Sequence, residues 1–254
     1  MKVLIVISAI VFSVVFVFPY KGYAQETGAI SVWTSEFPPY NYTDNNGTVV
    51  GLSTEVVQAV LHEMKITALP ISMPWARAYK YTQLQENVLL HSITRTKARE
   101  KLFKWVGVIA PANYSLWALK ARTDIVIRNL EDAKPYSIGT TNNDVVEQYL
   151  TAHEFQYLYR MSGQDAYSNN IKKLIKGRID LWGVASIPGY YFLEQENQHD
   201  HVKQVFVLED LTDEGMYMAF GPKTSDVVVE QFRNALEQIK EKGIYQKILK
   251  KYLK

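Results

Sequence analysis

Residues 29–93 read AISVWTSEFPPYNYTDNNGTVVGLSTEVVQAVLHEMKITALPISMPWARAYKYTQLQENVLLHSI, and this stretch decides the fold. Its first six residues, AISVWT, carry the β-branched and aromatic side chains of a strand. Glu36-Phe37-Pro38-Pro39-Tyr40 must then be a loop, because two prolines remove ladder donors. Asn45-Asn46-Gly47 marks a turn. Ser53 or Thr54 is placed to cap a helix running to about Met64, with Val56, Val57, Val60 and Leu61 on one face. A short strand is predicted over 66–72, a helix over 75–85 and a buried strand over 88–93. The order βαβαβ implies parallel pairing with right-handed crossovers.

A second series of similar size begins near Tyr114. Strands are predicted at 115–121, 136–139, 156–159, 179–184 and 202–208. Thr140-Thr141-Asn142-Asn143 is read as opening a helix to about Ala152, and further helices fall at 165–176 and 186–194. Residues 215–220 are extended, and 226–253 holds one or two helices with Gly243 as the natural break. No linker rich in Gly, Ser or Pro parts the two series. The expectation is an α/β protein of two lobes tied by short crossing segments, with a ligand cleft where the carboxyl ends of the strands face each other.

The chain opens like an exported one. Lys2 precedes an apolar run over 3–18, and Gly22-Tyr23-Ala24 supplies small residues where a signal peptidase cuts. A membrane span needs about 20 apolar residues, more than this run has. Cleavage after Ala24 would place the mature protein outside the cytoplasm. Removing 1–24 takes away Lys2 and Lys21 and no acid, so 26 Lys+Arg then balance 26 Asp+Glu. That balance argues against a nucleic-acid partner. The absence of cysteine excludes disulfides, thiolate metal sites, a Cys nucleophile and a lipid-anchored cysteine. Seventeen Tyr and five Trp suit a wet cleft as well as a core, each having an apolar body and a polar handle.

Several landmarks recur in order: Phe37-Pro38-Pro39-Tyr40 after the opening strand, Gly47 and Gly51 entering the first helix, Pro74-Trp75, Thr96 to Arg99 followed by Phe103, Gly139-Thr140-Thr141, Gly177-Arg178-Ile179-Asp180, and Gly243-Ile244-Tyr245. In this the chain resembles the family-3 extracellular solute-binding proteins, the periplasmic receptors of polar amino-acid ABC importers. The resemblance runs from Ala29 onward. It implies a type II periplasmic-binding-protein fold, with lobe 1 at 25–111 plus 217–254 and lobe 2 at 112–216. It also implies a monomeric receptor without cofactor or metal, whose partners are a small amino-acid-like or carboxylate ligand and an importer permease.

Carried onto this chain, the family's carboxylate clamp falls on Arg99. A planar guanidinium can make two parallel bonds to a carboxylate. Arg95, four residues earlier, is the other candidate for that role. Phe37 and Trp75 match the aromatic walls, Ser92 and Thr94 the pocket hydroxyls beyond a buried strand, and Arg77 and Glu36 are nearby charged options. Thr140, Thr141 and Asn142 correspond to the corner of lobe 2 that completes the grip, where free N–H groups at a helix start suit an anion. Two departures stand out. Asn87 replaces a structural Asp, and the family's amino-group carboxylate falls near Ala185-Ser186, which cannot carry charge.

Two rival functions are weighed. A dehydratase-like enzyme on the same fold is one, since His91 adjoins Ser92, but no G-x-S-x-G elbow or HExxH motif is present. A receptor that presents its ligand to a sensor is the other. The reading adopted is a binding protein, not an enzyme, that closes on a small zwitterion or carboxylate.

Overall fold

The computed structural model describes residues 29–211 and 215–252. The leader read at 1–24 lies outside the described residues. The first series runs β1 (Ser31–Thr34), a small hairpin of β2 (Tyr42–Thr43) and β3 (Val49–Val50), α1 (Leu52–Glu63), β4 (Pro70–Ser72), α2 (Trp75–Leu84) and β5 (Val88–Thr94). β1 lies parallel to both β4 and β5, as the βαβαβ order requires. A further strand, β6 (Lys104–Ala110), was not read from the sequence. It follows directly on the charged stretch 95–104 and is introduced by no turn residue.

The chain then crosses at 111–113 into a second sheet. There it forms β7 (Tyr114–Leu119), β8 (Ile138–Thr141), α3 (Val145–Ala152), β9 (Leu158–Met161), α4 (Ala166–Ile175), β10 (Leu181–Ala185), α5 (Ser186–Gln195) and β11 (Val202–Val207). It returns to lay β12 (Met216–Phe220) between β5 and β6, and ends in α6 (Asp226–Glu241) and α7 (Ile244–Tyr252), parted by Gly243 at φ 71°. The sheet orders are β4-β1-β5-β12-β6 and β11-β7-β10-β8-β9. These are two α/β lobes joined by two crossing segments.

β5 is buried along its whole length. Its residues alternate between two apolar layers, as a period of two demands. Leu89 joins Val56, Val60, Phe220 and Phe232, whereas Leu90 joins Trp75, Ala78, Tyr217 and Ala219. Each such fully buried apolar side chain contributes roughly 1.5–3 kcal/mol.

The start of α1 is built differently from the sequence expectation. Ser53 and Thr54 do not cap it; both are buried inside the first turn, and the cap position is Gly51 at φ 118°. The exposed N–H groups of the helix start are met by the Pro-Pro-Tyr loop instead. Leu52 N–H donates to the Pro39 carbonyl at 3.0 Å and Ser53 N–H to the Tyr40 carbonyl at 2.9 Å. The backbones approach so closely that a Cβ on Gly51 would stand 2.6 Å from the Tyr40 oxygen. Tyr40 also donates its hydroxyl to the Pro111 carbonyl at 2.5 Å. One loop thus holds both a helix start and a crossing segment.

α3 begins later than read. Thr140 and Thr141 belong to β8, where they pair with Arg160 and Met161 of β9. Asn143 turns the chain at φ 60°, and Asp144 is the N-cap. Gly139 is a packing glycine in the strand: a Cβ there would stand 2.5 Å from Ile179 Cδ1 and 2.7 Å from Asn170 Oδ1.

Gly51→Ala should therefore cost at least about 2 kcal/mol, from a left-handed backbone plus the clash with the Tyr40 carbonyl. A lowered urea midpoint at unchanged m-value would report it.

Candidate functional site

A cavity lies between the two sheets. From the first lobe come Ser35, Phe37, Trp75, Ser92, Thr94 and Arg99; from the second come Tyr114, Asp144, Val145, Tyr167, Val184 and Ala185. The centre of a water-sized sphere finds about 20 Å³ inside it, space for about one water. The lobes meet across it through the Phe37–Tyr167 ring contact and the Trp75–Asn143 hydrogen bond, and the space left is smaller than an amino acid.

Arg99 is the most constrained of these groups. It sits at the N-terminal end of a short 3-10 turn over Glu100–Leu102 and is only 1% exposed. Its Nε donates to Gln148 Oε1 at 2.9 Å, one terminal nitrogen to the Thr94 carbonyl at 3.1 Å and the other to the Asn143 carbonyl at 3.4 Å. The guanidinium carbon lies 5.2 Å from the Tyr79 ring centre and 5.8 Å from that of Trp75. No described carboxylate forms an ion pair with it, although Asp144 attracts it at longer range. Burial accordingly pushes its pKa below the ordinary arginine value. The three bonds use three of five N–H donors. Arg95, by contrast, is engaged bidentately with Glu100 at 2.7 and 2.8 Å on the exposed side of the turn. It does not line the cavity.

The aromatic walls come from both lobes. Phe37 stacks on Tyr167 across the cleft with ring centres 4.6 Å apart. Trp75 donates its indole N–H to the Asn143 carbonyl of the other lobe at 2.8 Å. Ser92 reaches the cavity through a backbone irregularity: in the pairing of β12 with β5, Tyr217 faces Ile93 and Met218 faces His91, so Ser92 is bulged out at φ 59°. Its hydroxyl donates to Asn41 Oδ1. Thr94 Oγ1 bonds the Tyr114 hydroxyl at 2.5 Å.

The other residues singled out in the sequence lie off the cavity. Glu36 is occupied by Thr43 N–H at 2.9 Å, Thr43 Oγ1 at 2.7 Å and the Ser72 hydroxyl, so its carboxylate pins the loop. Arg77 is exposed on the outer side of α2, in a surface groove with Lys80 and Tyr81. Thr140 and Thr141 are buried in β8, and Asn142 is half-buried with its N–H on the Met161 carbonyl at 2.8 Å. The turn that places α3 at the cleft brings Asp144 and Val145 into the cavity in their stead. Asp144 went unread, although Asp144-Val145-Val146-Glu147 before an apolar run has the spacing of an N-cap. Tyr114 and Tyr167 carried no signal, since nothing separates a cleft tyrosine from a core one in sequence. Ala185 does line the cavity, so the position where the resemblance expects a carboxylate is apolar.

Asp144 is 6% exposed, and its Oδ1 accepts the Glu147 N–H at 2.7 Å. Burial raises its pKa to about 7, against the pull of that N–H and of Arg99. His91 behind the site is fully buried, and burial lowers its pKa to about 3. Its Nδ1 is 3.5 Å from the Ser92 hydroxyl, whose hydrogen bond goes to Asn41.

A two-lobed α/β clamp with a buried cation and aromatic walls in its cleft defines a ligand-binding protein of the type II periplasmic fold. The family description "bacterial extracellular solute-binding proteins, family 3" matches residues 30–254. The chain belongs to that family, and its role is that of a solute-binding receptor. It is 27% identical over 233 residues to an arginine-binding periplasmic protein of Mannheimia haemolytica, covering 88% of this chain and 90% of the relative. An ancestral arginine-binding protein solved with arginine superposes with TM-score 0.77 at 22% identity, over 89% of this chain and 98% of that one. A histidine kinase sensor domain similar to periplasmic binding proteins superposes with TM-score 0.79 at 18% identity, over 89% and 96%. The structural likenesses speak to the fold.

Two outcomes follow from this geometry. Trp75→Phe keeps an aromatic, though smaller, side chain and removes one bond between lobes, costing the closed form about 1 kcal/mol; small-angle scattering should report a larger radius of gyration. His91 stays neutral in the folded chain down to about pH 3, whereas the unfolded chain takes up the proton below 6.5. The stabilisation is therefore complete above 6.5 and is lost as pH falls. Between those limits the wild type should lose about 1.4 kcal/mol per pH unit relative to His91→Gln, read from urea midpoints across pH.

Proposed function

We propose that this chain is exported through a leader cleaved after Ala24 and works in the periplasm, closing on an amino acid and presenting it to the permease of an ABC importer. The lobes divide at 25–111 plus 217–254 and at 112–216, and they hinge at the two crossing segments. The ligand's carboxylate lies on Arg99, between the walls of Trp75 and Phe37, with Ser92 and Thr94 offering hydroxyls. Arginine is the first ligand to test, because two of the proteins named above are arginine-binding proteins.

The observation that carries this reading is Arg99 itself, 1% exposed, facing a cavity between the lobes and lacking a carboxylate partner among the described residues. A buried cation without a counter-ion is costly, and an anionic ligand removes the cost. Because Tyr114, Asp144, Val145 and Tyr167 of the second lobe line the same cavity as Arg99, an anion placed there touches both lobes. Only such a ligand has the differential affinity that drives closure.

The chain binds its ligand unaltered. The Ser92 hydroxyl donates to Asn41 instead of to His91, and His91 is sealed in the core, so the pair is poorly arranged for nucleophilic chemistry.

Arg99→Ala should weaken L-arginine binding by about 2–5 kcal/mol, a loss of roughly 30-fold or more in Kd by titration calorimetry. Unchanged affinity would remove Arg99 from the site. Recovery of arginine intact after long incubation checks the absence of turnover.

A further inference from the structure

The cavity holds two formally charged residues, Arg99 from the first lobe and Asp144 from the second. The proposed function uses only the first. Asp144 has an ordinary structural duty as the N-cap of α3, accepting the Glu147 N–H through Oδ1. That duty does not require burial. Caps commonly stand in water, yet this one is enclosed between the lobes at 6% exposure. The edge of β10 at the same cavity supplies only Val184 and Ala185, neither of which can pair with a cation.

We propose that Asp144 receives the ammonium group of the ligand, so that the chain selects a dipolar amino acid by offering a guanidinium from one lobe and a carboxylate from the other. This deepens the reading above and rests on it. The argument is one of charge complementarity in a dry site. A ligand with a carboxylate alone would satisfy Arg99 and leave Asp144 buried and unpaired, which is costly. A ligand with an ammonium alone would do the reverse. A zwitterion satisfies both, and it does so only when the lobes are together, so the selection is tied to closure. The unliganded state of Asp144 agrees with this: burial lifts its pKa to about 7, the behaviour of a carboxyl group short of a close cation. Arg99 and the Glu147 and Thr141 N–H groups lower that value without offsetting burial.

Asp144→Asn is the discriminating variant, because asparagine caps a helix as well as aspartate and only the charge is lost. The full chain would be titrated with L-arginine, L-lysine and L-glutamine, each beside the matching acid that lacks the α-amino group. The wild type should prefer at least one amino acid over its amine-free counterpart by about 10–100-fold, the worth of a charged hydrogen bond in a closed site. In Asp144→Asn that ratio should fall close to one, while Arg99→Ala weakens both members of the pair. Equal affinity of the wild type for both members, or a ratio that survives in Asp144→Asn, overturns the assignment. If amino acids bind and Arg99→Ala abolishes binding while the ratio survives in Asp144→Asn, only this inference falls. If none of the three amino acids binds the wild type, the amino-acid reading falls and takes this one with it.

Discussion

The cavity between the lobes is organised around a guanidinium taken out of water without an ion-pair partner among the described residues. Burying a lone charge ordinarily costs several kcal/mol, and such groups survive only where other contacts offset the loss. Here the offsets are partial: two backbone carbonyls, one amide oxygen and the faces of Trp75 and Tyr79. A cation near an aromatic face gains about 0.5–2 kcal/mol, and neutral acceptors less than a carboxylate would. The balance leaves a site whose largest unmet demand is for an anion. Two of the three hydrogen-bond partners of Arg99 sit on the second lobe, so that demand is coupled to the relation between the lobes.

The scaffold spends its backbone constraints on positioning this group and its neighbours. The Pro-Pro-Tyr loop gives its carbonyls to the start of α1 and the Tyr40 hydroxyl to the crossing segment, which fixes Phe37 at the cavity relative to that segment. A bulge in β5, buried along its whole length, turns Ser92 toward the cleft. On the far lobe, the left-handed residue Asn143 aims one carbonyl at Trp75, Arg99 and Gln148 together. Two of the six described non-glycine residues with left-handed backbone, Ser92 and Asn143, thus stand where the lobes meet, a usual place for strain in a protein that works by binding.

Much of the fold was legible because its signals are local. The strands around β1 and β5, the apolar face of α1 and the break at Gly243 all follow from periodicity and turn chemistry. What escaped had competing local readings. β6 follows a charged stretch with no turn residue before it. The start of α3 could lie anywhere in Thr140-Thr141-Asn142-Asn143-Asp144, since each of these residue types can cap a helix. Pairing of β8 with β9 settles the matter by holding Thr140 and Thr141 in the sheet. That shift moved Asp144 into the site and took Thr140 to Asn142 away from it. Glu36 illustrates the same limit: its charge was visible, but its commitment to Thr43 and Ser72 was not.

By itself, then, the sequence determined the α/β class, the two series of elements, the family resemblance and the candidacy of Arg99, Phe37, Trp75, Ser92 and Thr94. Each of these rests on residue type, order or spacing, which are properties of short segments. Only the tertiary structure decided which arginine is buried, which carboxylate shares its cavity and which hydroxyls face the cleft. Those depend on desolvation and on contacts between residues far apart in the chain, and neither is encoded in any one segment.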